Sequence, residues 1–448
     1  MPTSPPRPRP RASEPDTGDA APPPPPPRLP ASPSSWVMLG SIPRIAAAAD
    51  LPESADLELA LAPPPRVSRL TVSPRVFPDP ATPRHFPFLL AADPSGLLLL
   101  SAILRAPPKR VVVDRPGHQS FHWALDEPRY FVLDAASSAA AFRLPDPDDE
   151  PILHQALLGI LASPGGGGHY MVAELRPLIG SDKATLLCFS SDLGEWVEKS
   201  VRYPLPARPL APICVLSHHG RLWWVDLSWG LITADPFADA PVLGFVPLPP
   251  GTVLQSREGW GVADEFRYVG VSAGKLRFVD TYTRRRLGGV VPKVTVWTLG
   301  DPDSTGWTLE HQARFADIWA HPSYAATKLP KKLPVVALIH HHNPAVVYFF
   351  LEDKLFGVDV RAGKVVECEA YQLVAPPREF IASRFVRAWE LPRAVSSGMV
   401  NWLNGMSLSE TTSPTEPAPR RRPATGPRIT GLPGDYHMVG ITRQTFIG

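Results

Sequence analysis

The sequence is poor in cysteine, with three in 448 residues (Cys188, Cys214 and Cys368) and no two of them close together. An odd number of widely spaced cysteines argues against a disulfide framework, and it excludes the Cys-x-x-Cys knuckle of many structural zinc sites. We therefore expect a protein of a reducing compartment, cytoplasmic, nuclear or both, and not a secreted one.

The sequence also lacks long apolar runs and any marked excess of charge. Its longest apolar stretches, such as GLLLLSAIL (96–104), are much shorter than the roughly 20 residues that a membrane-spanning helix needs. The formal net charge is +2, which is too small to imply attraction to nucleic acid or to an anionic membrane. We expect neither a membrane nor a nucleic acid as partner.

Motifs for catalysis and cofactor binding are missing as well. SPGGGGHY (163–170) has four glycines but lacks the lysine and the Ser/Thr of a phosphate-binding P-loop. The one Gly-x-Ser-x-Gly match, GVSAG (270–274), runs directly into the strand segment GKLRFVD and not into the helix of a hydrolase elbow, and DPDDE (146–150) lacks the ligand spacing of a calcium loop. We expect a protein that is not an enzyme and that holds no cofactor.

Proline is abundant, with 58 residues, of which fourteen fall in residues 1–33. Such a segment has too few apolar side chains to offset the entropy of ordering, so residues 1–33 are predicted to be a disordered Pro-rich arm. A tail rich in Ser, Thr, Pro, Gly and Arg, residues 405–448, is predicted to be disordered too. The folded domain is expected over residues 34–392.

Short apolar runs separated by turn residues dominate the folded part, as in HFPFLLAADPSGLLLLSA (85–102). This texture predicts an all-β protein. Hairpin units fall near 85–110, 128–145, 170–205, 212–250, 265–315 and 335–375, and they favour a β-propeller-like ring of about six blades. Residues 36–77 are expected to contribute strands that close the ring, and 378–391 is predicted to be a short docking helix.

Three segments align on a final aspartate: GRLWWVD (220–226), GKLRFVD (274–280) and DKLFGVD (353–359), with a looser copy in PRYFVLD (128–134). Aspartates that recur in this way are more typical of turns than of catalysis, because a short carboxylate hydrogen-bonds local backbone N–H groups. We interpret Asp134, Asp226, Asp280 and Asp359 as turn residues that end equivalent strands. Trp223 and Trp224 would then point to opposite faces of one strand.

Histidines supply the one candidate for metal binding, HHHNP (His340, His341 and His342, then Asn343 and Pro344). The run lies between two apolar segments, so a turn with solvent-exposed histidines is the favoured interpretation. A metal site with His218, His219, His311 or His321 as distant partners is the alternative.

A second candidate signal is PRRRPATGPR (419–428), in which Arg420, Arg421 and Arg422 are typical of a nuclear-import sequence.

Several of these segments resemble a family of plant proteins, abundant in grasses, called domain of unknown function 1618. The resemblance rests on GRLWWVDLSWGLITADPFADAPVLGFVPLPPG (220–251), KVTVWTLGDPDSTGWTLEHQARF (293–315) and SRFVRAWELP (383–392), with a core signature over 212–350. It implies similarity to the β-propeller domains that follow F-boxes in ubiquitin-ligase adaptors. Residues 34–60 have neither the length nor the helical pattern of an F-box.

The sequence therefore favours a non-catalytic scaffold that binds a protein partner through loops at one end of the ring. One alternative is a propeller enzyme with metal or carboxylates in the central channel, and another is a nuclear regulatory adaptor imported through its arginine-rich tail. The identity of the partner and the oligomeric state are left open.

Overall fold

The structure is a computed structural model, and it describes residues 35–395 except for 48–49, 53, 79–85, 105–126, 137–139, 149–150, 179, 206–210, 255–262, 283–290, 302 and 372–385. The predicted arm, the predicted tail and the arginines of the import motif lie outside the described residues.

The described chain begins with four strands that belong to one sheet. They are β1 (Trp36–Gly40), β2 (Arg44–Ile45), β3 (Leu57–Ala60) and β4 (Val67–Val72). β4 pairs in parallel with β1 and β2 and antiparallel with β3, so this sheet differs from a regular propeller blade.

Five four-stranded antiparallel sheets follow, and each is made from consecutive strands. Blade 1 comprises β5 (Phe88–Ala92), β6 (Leu97–Leu104), β7 (Glu127–Asp134) and β8 (Ala141–Arg143). Blade 2 follows a 3-10 turn (Gln155–Leu157) and comprises β9 (Leu158–Ala162), β10 (Tyr170–Pro177), β11 (Lys183–Ser190) and β12 (Glu195–Arg202). Blade 3 comprises β13 (Cys214–His218), β14 (Arg221–Asp226), β15 (Gly230–Ala234) and β16 (Gly244–Pro247).

The last two blades are each preceded by short α-helices. Blade 4 follows α1 (Ala263–Phe266) and comprises β17 (Arg267–Ser272), β18 (Lys275–Asp280), β19 (Lys293–Leu299) and β20 (Trp307–Arg314). Blade 5 follows α2 (Phe315–Ala320) and α3 (Pro322–Thr327) and comprises β21 (Val335–Ile339), β22 (Val346–Leu351), β23 (Lys354–Asp359) and β24 (Lys364–Ala370).

The final strand, β25 (Val386–Glu390), returns to the first sheet and pairs antiparallel with β1. This closing sheet thus joins the two ends of the folded chain. Residues 36–77 supply its other strands, as the sequence predicted.

Apolar clusters fill each space between consecutive sheets from blade 1 to the closing sheet. Leu99 of blade 1 packs with Val172 of blade 2, and Leu186 of blade 2 with Trp224 of blade 3. The remaining clusters also join neighbouring sheets. Trp223 and Phe278 pack between blades 3 and 4, Val279 and Phe349 between blades 4 and 5, and Leu338 and Met38 between blade 5 and the closing sheet. Sheets that bury both faces against neighbours in sequence order form a β-propeller, which confirms the predicted fold class.

The predicted count of about six blades is wrong, since the described residues form five four-stranded blades. Units 85–110 and 128–145 were counted separately, but β6 and β7 pair with each other over their whole lengths and belong to one blade. The long connection between those two strands made a single sheet look like two hairpins.

The predicted docking helix over 378–391 is also wrong where the structure describes it. Residues 386–390 form β25, in which Trp389 lies opposite Val37 of β1. Backbone pairing with a strand from the other end of the fold outweighs the mixed helical spacing of the apolar residues there.

Candidate functional site

The first strands of blades 1, 3, 4 and 5 and strand β25 bring their carboxyl ends to the same end of the ring. Ala273, after β17, donates its backbone N–H to the carbonyl oxygen of His341, after β21, at 2.6 Å. At the end of β25, the Trp389 indole donates to the carbonyl of Asp93, which follows β5. We call this end of the central channel the mouth.

Histidines from two turns converge on the mouth. His218 ends β13 and His219 follows it, with 4.0 Å between the centroids of their rings. His341 lies near His218, and its Nε2 is 3.5 Å from a carboxylate oxygen of Glu390 at the end of β25. His342 is exposed and its Nε2 lies 2.6 Å from the Ser35 hydroxyl.

Two tight hairpins present part of the rim. His219–Gly220 joins β13 to β14 with φ values of 50° and 67°, and Ala273–Gly274 joins β17 to β18 with 46° and 70°. Two successive residues at positive φ are typical of a type I′ turn, which matches the twist of its strands. A non-glycine residue in this region costs about 1 kcal/mol, so the rim holds His219 and Ala273 in a conformation that L residues seldom adopt.

Metal coordination by the three adjacent histidines has no support in the geometry. Within the described ranges, no group of three or more His, Cys, Asp or Glu residues is arranged to hold an ion. His340 Nδ1 accepts the backbone N–H groups of His342 and Asn343, both at 3.0 Å, and its ring packs 4.7 Å from that of Trp36. The predicted exposure to solvent is found for His342. It is not found for His341, whose exposed fraction is only 8%.

The four distant histidines named as possible partners separate into two groups. His218 and His219 line the channel beside His341 and His342. His311 lies on β20, the outer strand of blade 4, and His321 precedes α3, where its ring accepts the backbone N–H of Ser323. Neither of these two is among the residues that line the channel.

The channel at the mouth contains a cavity of about 400 Å³. Its walls come from β5, β13, β17 and β25, and most of their lining side chains are apolar. Four polar residues line the end of the cavity opposite the histidines, near the amino ends of these strands: Cys214, Arg267, Tyr268 and Arg387.

Arg387 is the distinctive group of this cavity. Its Nε donates to the carbonyl of Leu89 at 3.1 Å, and its guanidinium interacts with Tyr268 and Cys214. No ion pair joins Arg387 to a carboxylate in the part of the chain that the structure describes. Burial lowers the pKa of this guanidinium and raises the pKa of the Tyr268 phenol, so the phenol stays protonated at neutral pH.

Arg267, the other arginine of the wall, is already neutralised. Its guanidinium lies 3.2 and 3.3 Å from the two carboxylate oxygens of Asp280 and donates to the carbonyl of Leu227 at 2.8 Å. It also lies over the rings of Phe278 and Tyr282.

Burial lowers the pKa of His218 to about 4, so this histidine is neutral near pH 7.

The four repeated aspartates lie at strand ends, where each accepts from the backbone. Asp134, Asp226 and Asp280 accept the N–H two residues on, at 2.8 Å in each case, and Asp359 accepts that of Ala362 at 3.0 Å. The expected equivalence of their strands is wrong. Asp226 and Asp280 end second strands of their blades, whereas Asp134 and Asp359 end third strands, which run in the opposite direction.

The tryptophan pair of β14 has a packing role. Trp223 packs toward blade 4 and Trp224 toward blade 2, and both are fully buried. Their indole N–H groups donate to the carbonyls of His218 and Leu157. The segment HHGRLWWVD is therefore one hairpin of a blade, and its histidines, not its aspartate, reach the channel.

Sequence reasoning missed Arg387 and Tyr268, because nothing in SRFVRAWELP (383–392) marks Arg387 as functional and Tyr268 lies in no quoted motif. The histidines carried a usable signal, since both runs directly follow the first strand of a hairpin unit. Aligning the chain on those first strands would have placed the two runs at one end of the ring.

Comparison with known proteins supports the family resemblance. Residues 224–348 match the model of a family described as "Protein of unknown function (DUF1618)". No curated protein matches the chain. No helix within the described ranges has the length and apolar character to cross a membrane.

Solved structures show only distant similarity to this chain. The β-propeller domain of Cps50 (Swd1) from Myceliophteria thermophila is 12% identical, with 68% of this chain and 97% of that chain covered and a TM-score of 0.30. AztD from Citrobacter koseri is 12% identical, with 64% and 72% covered and a TM-score of 0.28. The α-L-arabinanase of Penicillium chrysogenum, solved in complex with arabinobiose, is 13% identical. The match covers 71% of this chain and 88% of that chain, with a TM-score of 0.32. At such scores no functional argument rests on these matches.

Proposed function

We propose that this protein is a non-catalytic binding module that engages a protein partner through the mouth of its channel. The observation that carries the proposal is the rim itself, where turns from several sheets converge at one end of the ring. Propeller rims of this kind combine residues that are far apart in sequence into one surface.

The rim is suited to binding because it is short and rigid. His219 and Ala273 are exposed, and each is held in the left-handed region by a two-residue turn. A surface that is already ordered loses less entropy on binding than a long loop does, so more of its contact energy appears as affinity. Glu390 and His342 add exposed polar groups on neighbouring sheets.

A catalytic role for the channel is less well supported. It would need acidic and histidine side chains from several blades, and Glu390 is the only carboxylate among the described residues that line the cavity. Its partner His341 lies 3.5 Å from it, a long contact for a hydrogen-bonded pair. We therefore favour recognition over chemistry.

Affinity capture with two matched variants tests the proposal, and the motif resemblance makes grass tissue the extract to use. His219→Lys changes an exposed turn residue at the mouth with φ 50°, and Glu352→Lys changes an exposed turn residue with φ 55° in the β22–β23 turn at the other end. The proposal predicts a protein captured by the wild type and by Glu352→Lys but lost with His219→Lys. A partner lost only with Glu352→Lys would move the binding surface to the other end.

A further inference from the structure

We propose that the central cavity is a binding site for a small organic monocarboxylate with an apolar body, and that the carboxylate is held by Arg387. This site goes beyond the proposed function, since it lies inside the channel and not on the rim. Nothing in it requires the protein partner.

The first step concerns the guanidinium. A guanidinium has five N–H donors, and Arg387 uses one of them for the carbonyl of Leu89. The other donors make no hydrogen bond to any described residue, and Arg387 lines the cavity. A partly buried cation without a counter-ion is costly, and an anion in the cavity would remove that cost.

The second step concerns the shape of the anion. The planar fork of a guanidinium matches the two oxygens of a carboxylate, which it can bind through two parallel hydrogen bonds. Tyr268 lies beside Arg387 and is protonated, so its hydroxyl is available as a third donor. Gly270 allows this placement, because a Cβ there would lie 2.6 Å from the Tyr268 hydroxyl oxygen.

The third step concerns the charge of the cavity lining, which favours a ligand with one negative charge over a ligand with two. Arg267 is neutralised by Asp280, and burial keeps His218 neutral near pH 7. His341 is paired with Glu390 at the mouth. Among the described lining residues, Arg387 is therefore the one cation left uncompensated, and a phosphate dianion would find too little positive charge.

The remaining lining defines the rest of the ligand. Val215, Val269, Val271, Val386 and Phe88 contribute apolar wall to the cavity. A volume of about 400 Å³ lies in the range of roughly 300–1,000 Å³ that small-molecule sites occupy. An aryl or alkyl body that enters through the mouth would place its carboxylate at Arg387 and its apolar part against these valines.

Calorimetric titration of the full chain with matched probes tests the site. The probes are 4-phenylbutyrate, its amide 4-phenylbutyramide, and inorganic phosphate, all near neutral pH. We expect 4-phenylbutyrate to bind and the other two to bind at least about tenfold more weakly, because the amide has no charge to strengthen its hydrogen bonds to Arg387 and phosphate has no apolar body. Equal binding of the amide, tighter binding of phosphate, or no binding of the carboxylate would overturn the proposal.

Variants then assign the interaction to Arg387. Arg387→Met should weaken 4-phenylbutyrate about ten- to hundredfold, while Arg143→Met, which changes an exposed arginine on the outer strand β8, should leave it unchanged. Tyr268→Phe should weaken it less, because a single hydroxyl is lost. Unchanged affinity in Arg387→Met would place the anion elsewhere.

A measurement on the wild type guards against misfolding of Arg387→Met. Phenylglyoxal modifies accessible guanidinium groups, and mass spectrometry reports the rate at each arginine. We expect 4-phenylbutyrate, but not its amide, to slow modification of Arg387 and not of Arg143. Modification of Arg387 at the same rate with and without the carboxylate would contradict the site, even if partner capture at the rim succeeds.

Discussion

The indole N–H of Trp389 donates to the carbonyl oxygen of Asp93 at 2.9 Å, across 296 residues of sequence. This bond joins the last described strand to the turn after the first strand of blade 1. Beside it, Arg387 donates to the carbonyl of Leu89. Together they close the ring between the closing sheet and blade 1, and they fix the position of the residues that line the channel.

Loss of the Trp389 bond is expected to destabilise the whole propeller. Trp389→Phe leaves the Asp93 carbonyl without this donor and removes buried ring volume, which together cost about 1–3 kcal/mol of unfolding free energy. Urea denaturation followed by fluorescence measures the change. Trp196→Phe is the matched control, since its indole also donates to a carbonyl, that of Pro145, but at a more exposed position. A larger loss of stability in the control would contradict the closure role.

Close packing of blades 2 and 3 depends on Gly159 in β9. A Cβ at this position would lie 2.5 Å from Val215 Cγ1 and 3.0 Å from Leu222 Cδ2, both in the buried cluster between the blades. We expect Gly159→Ala to cost about 1–3 kcal/mol by overpacking. Gly306→Ala, where the nearest atom is the Ser304 hydroxyl at 3.4 Å, should change the denaturation midpoint little. A denaturation midpoint for Gly159→Ala as high as that of Gly306→Ala would show that blades 2 and 3 accommodate the added methyl group without cost, and it would contradict the prediction.

The ion pair between Glu174 and Arg176 is buried, and breaking it should be costly. A carboxylate oxygen of Glu174 lies 2.7 Å from Arg176 Nε, and the other accepts the backbone N–H groups of Leu153 and His154. Glu174→Gln removes the nearest counter-ion of the buried guanidinium, whereas Glu198 lies 3.9 Å from Arg176 Nη1, so we expect a loss of about 3–5 kcal/mol.

The exposed pair Arg314–Asp317 supplies the control for that prediction, with side chains 64% and 55% exposed. Asp317→Asn should cost at most about 1 kcal/mol, as exposed ion pairs do. Calorimetric melting of both variants gives the comparison. A Glu174→Gln protein as stable as Asp317→Asn would mean that the buried pair contributes nothing net.

Acid should weaken the fold through the mouth histidines. Burial, together with repulsion from the neighbouring His219 and His341, lowers the pKa of His218 from 6.5 to about 4, while Glu390 faces His341. The unfolded chain therefore takes up this proton first, so the contribution to stability is complete above pH 6.5 and is lost as the pH falls toward 4. His218→Asn cannot take up the proton, and its stability should fall less over that range. Parallel curves for the two proteins would contradict the assignment.

Much of the fold could be predicted from the sequence, because local patterns report local pairing. The hairpin over 85–102, the turn aspartates and the two faces of Trp223 and Trp224 all depend on neighbouring residues. The number of blades and the strand conformation of residues 386–390 depend instead on pairing between segments far apart in sequence. Nothing near β6 shows that its partner β7 lies beyond a long connection, and nothing near Trp389 shows that its strand pairs with β1.

The candidate site was predictable only in part for the same reason. Two histidine runs were visible, and each directly follows a first strand, but their convergence depends on how the blades close. Nothing in the sequence marks Arg387 or Tyr268 as functional, and their meeting with Cys214 depends on three strands from three different sheets. The channel is a product of the ring and not of any one segment.

Site-specific photo-crosslinking tests the central claim, that the mouth is the binding surface, most directly. A benzophenone side chain is introduced at His219 on the rim or at Glu352 in the β22–β23 turn, two exposed positions with nearly equal φ. The proposal predicts that the His219 derivative crosslinks the captured partner and the Glu352 derivative does not. Crosslinking from Glu352 alone would contradict it and would assign recognition to the opposite end of the propeller.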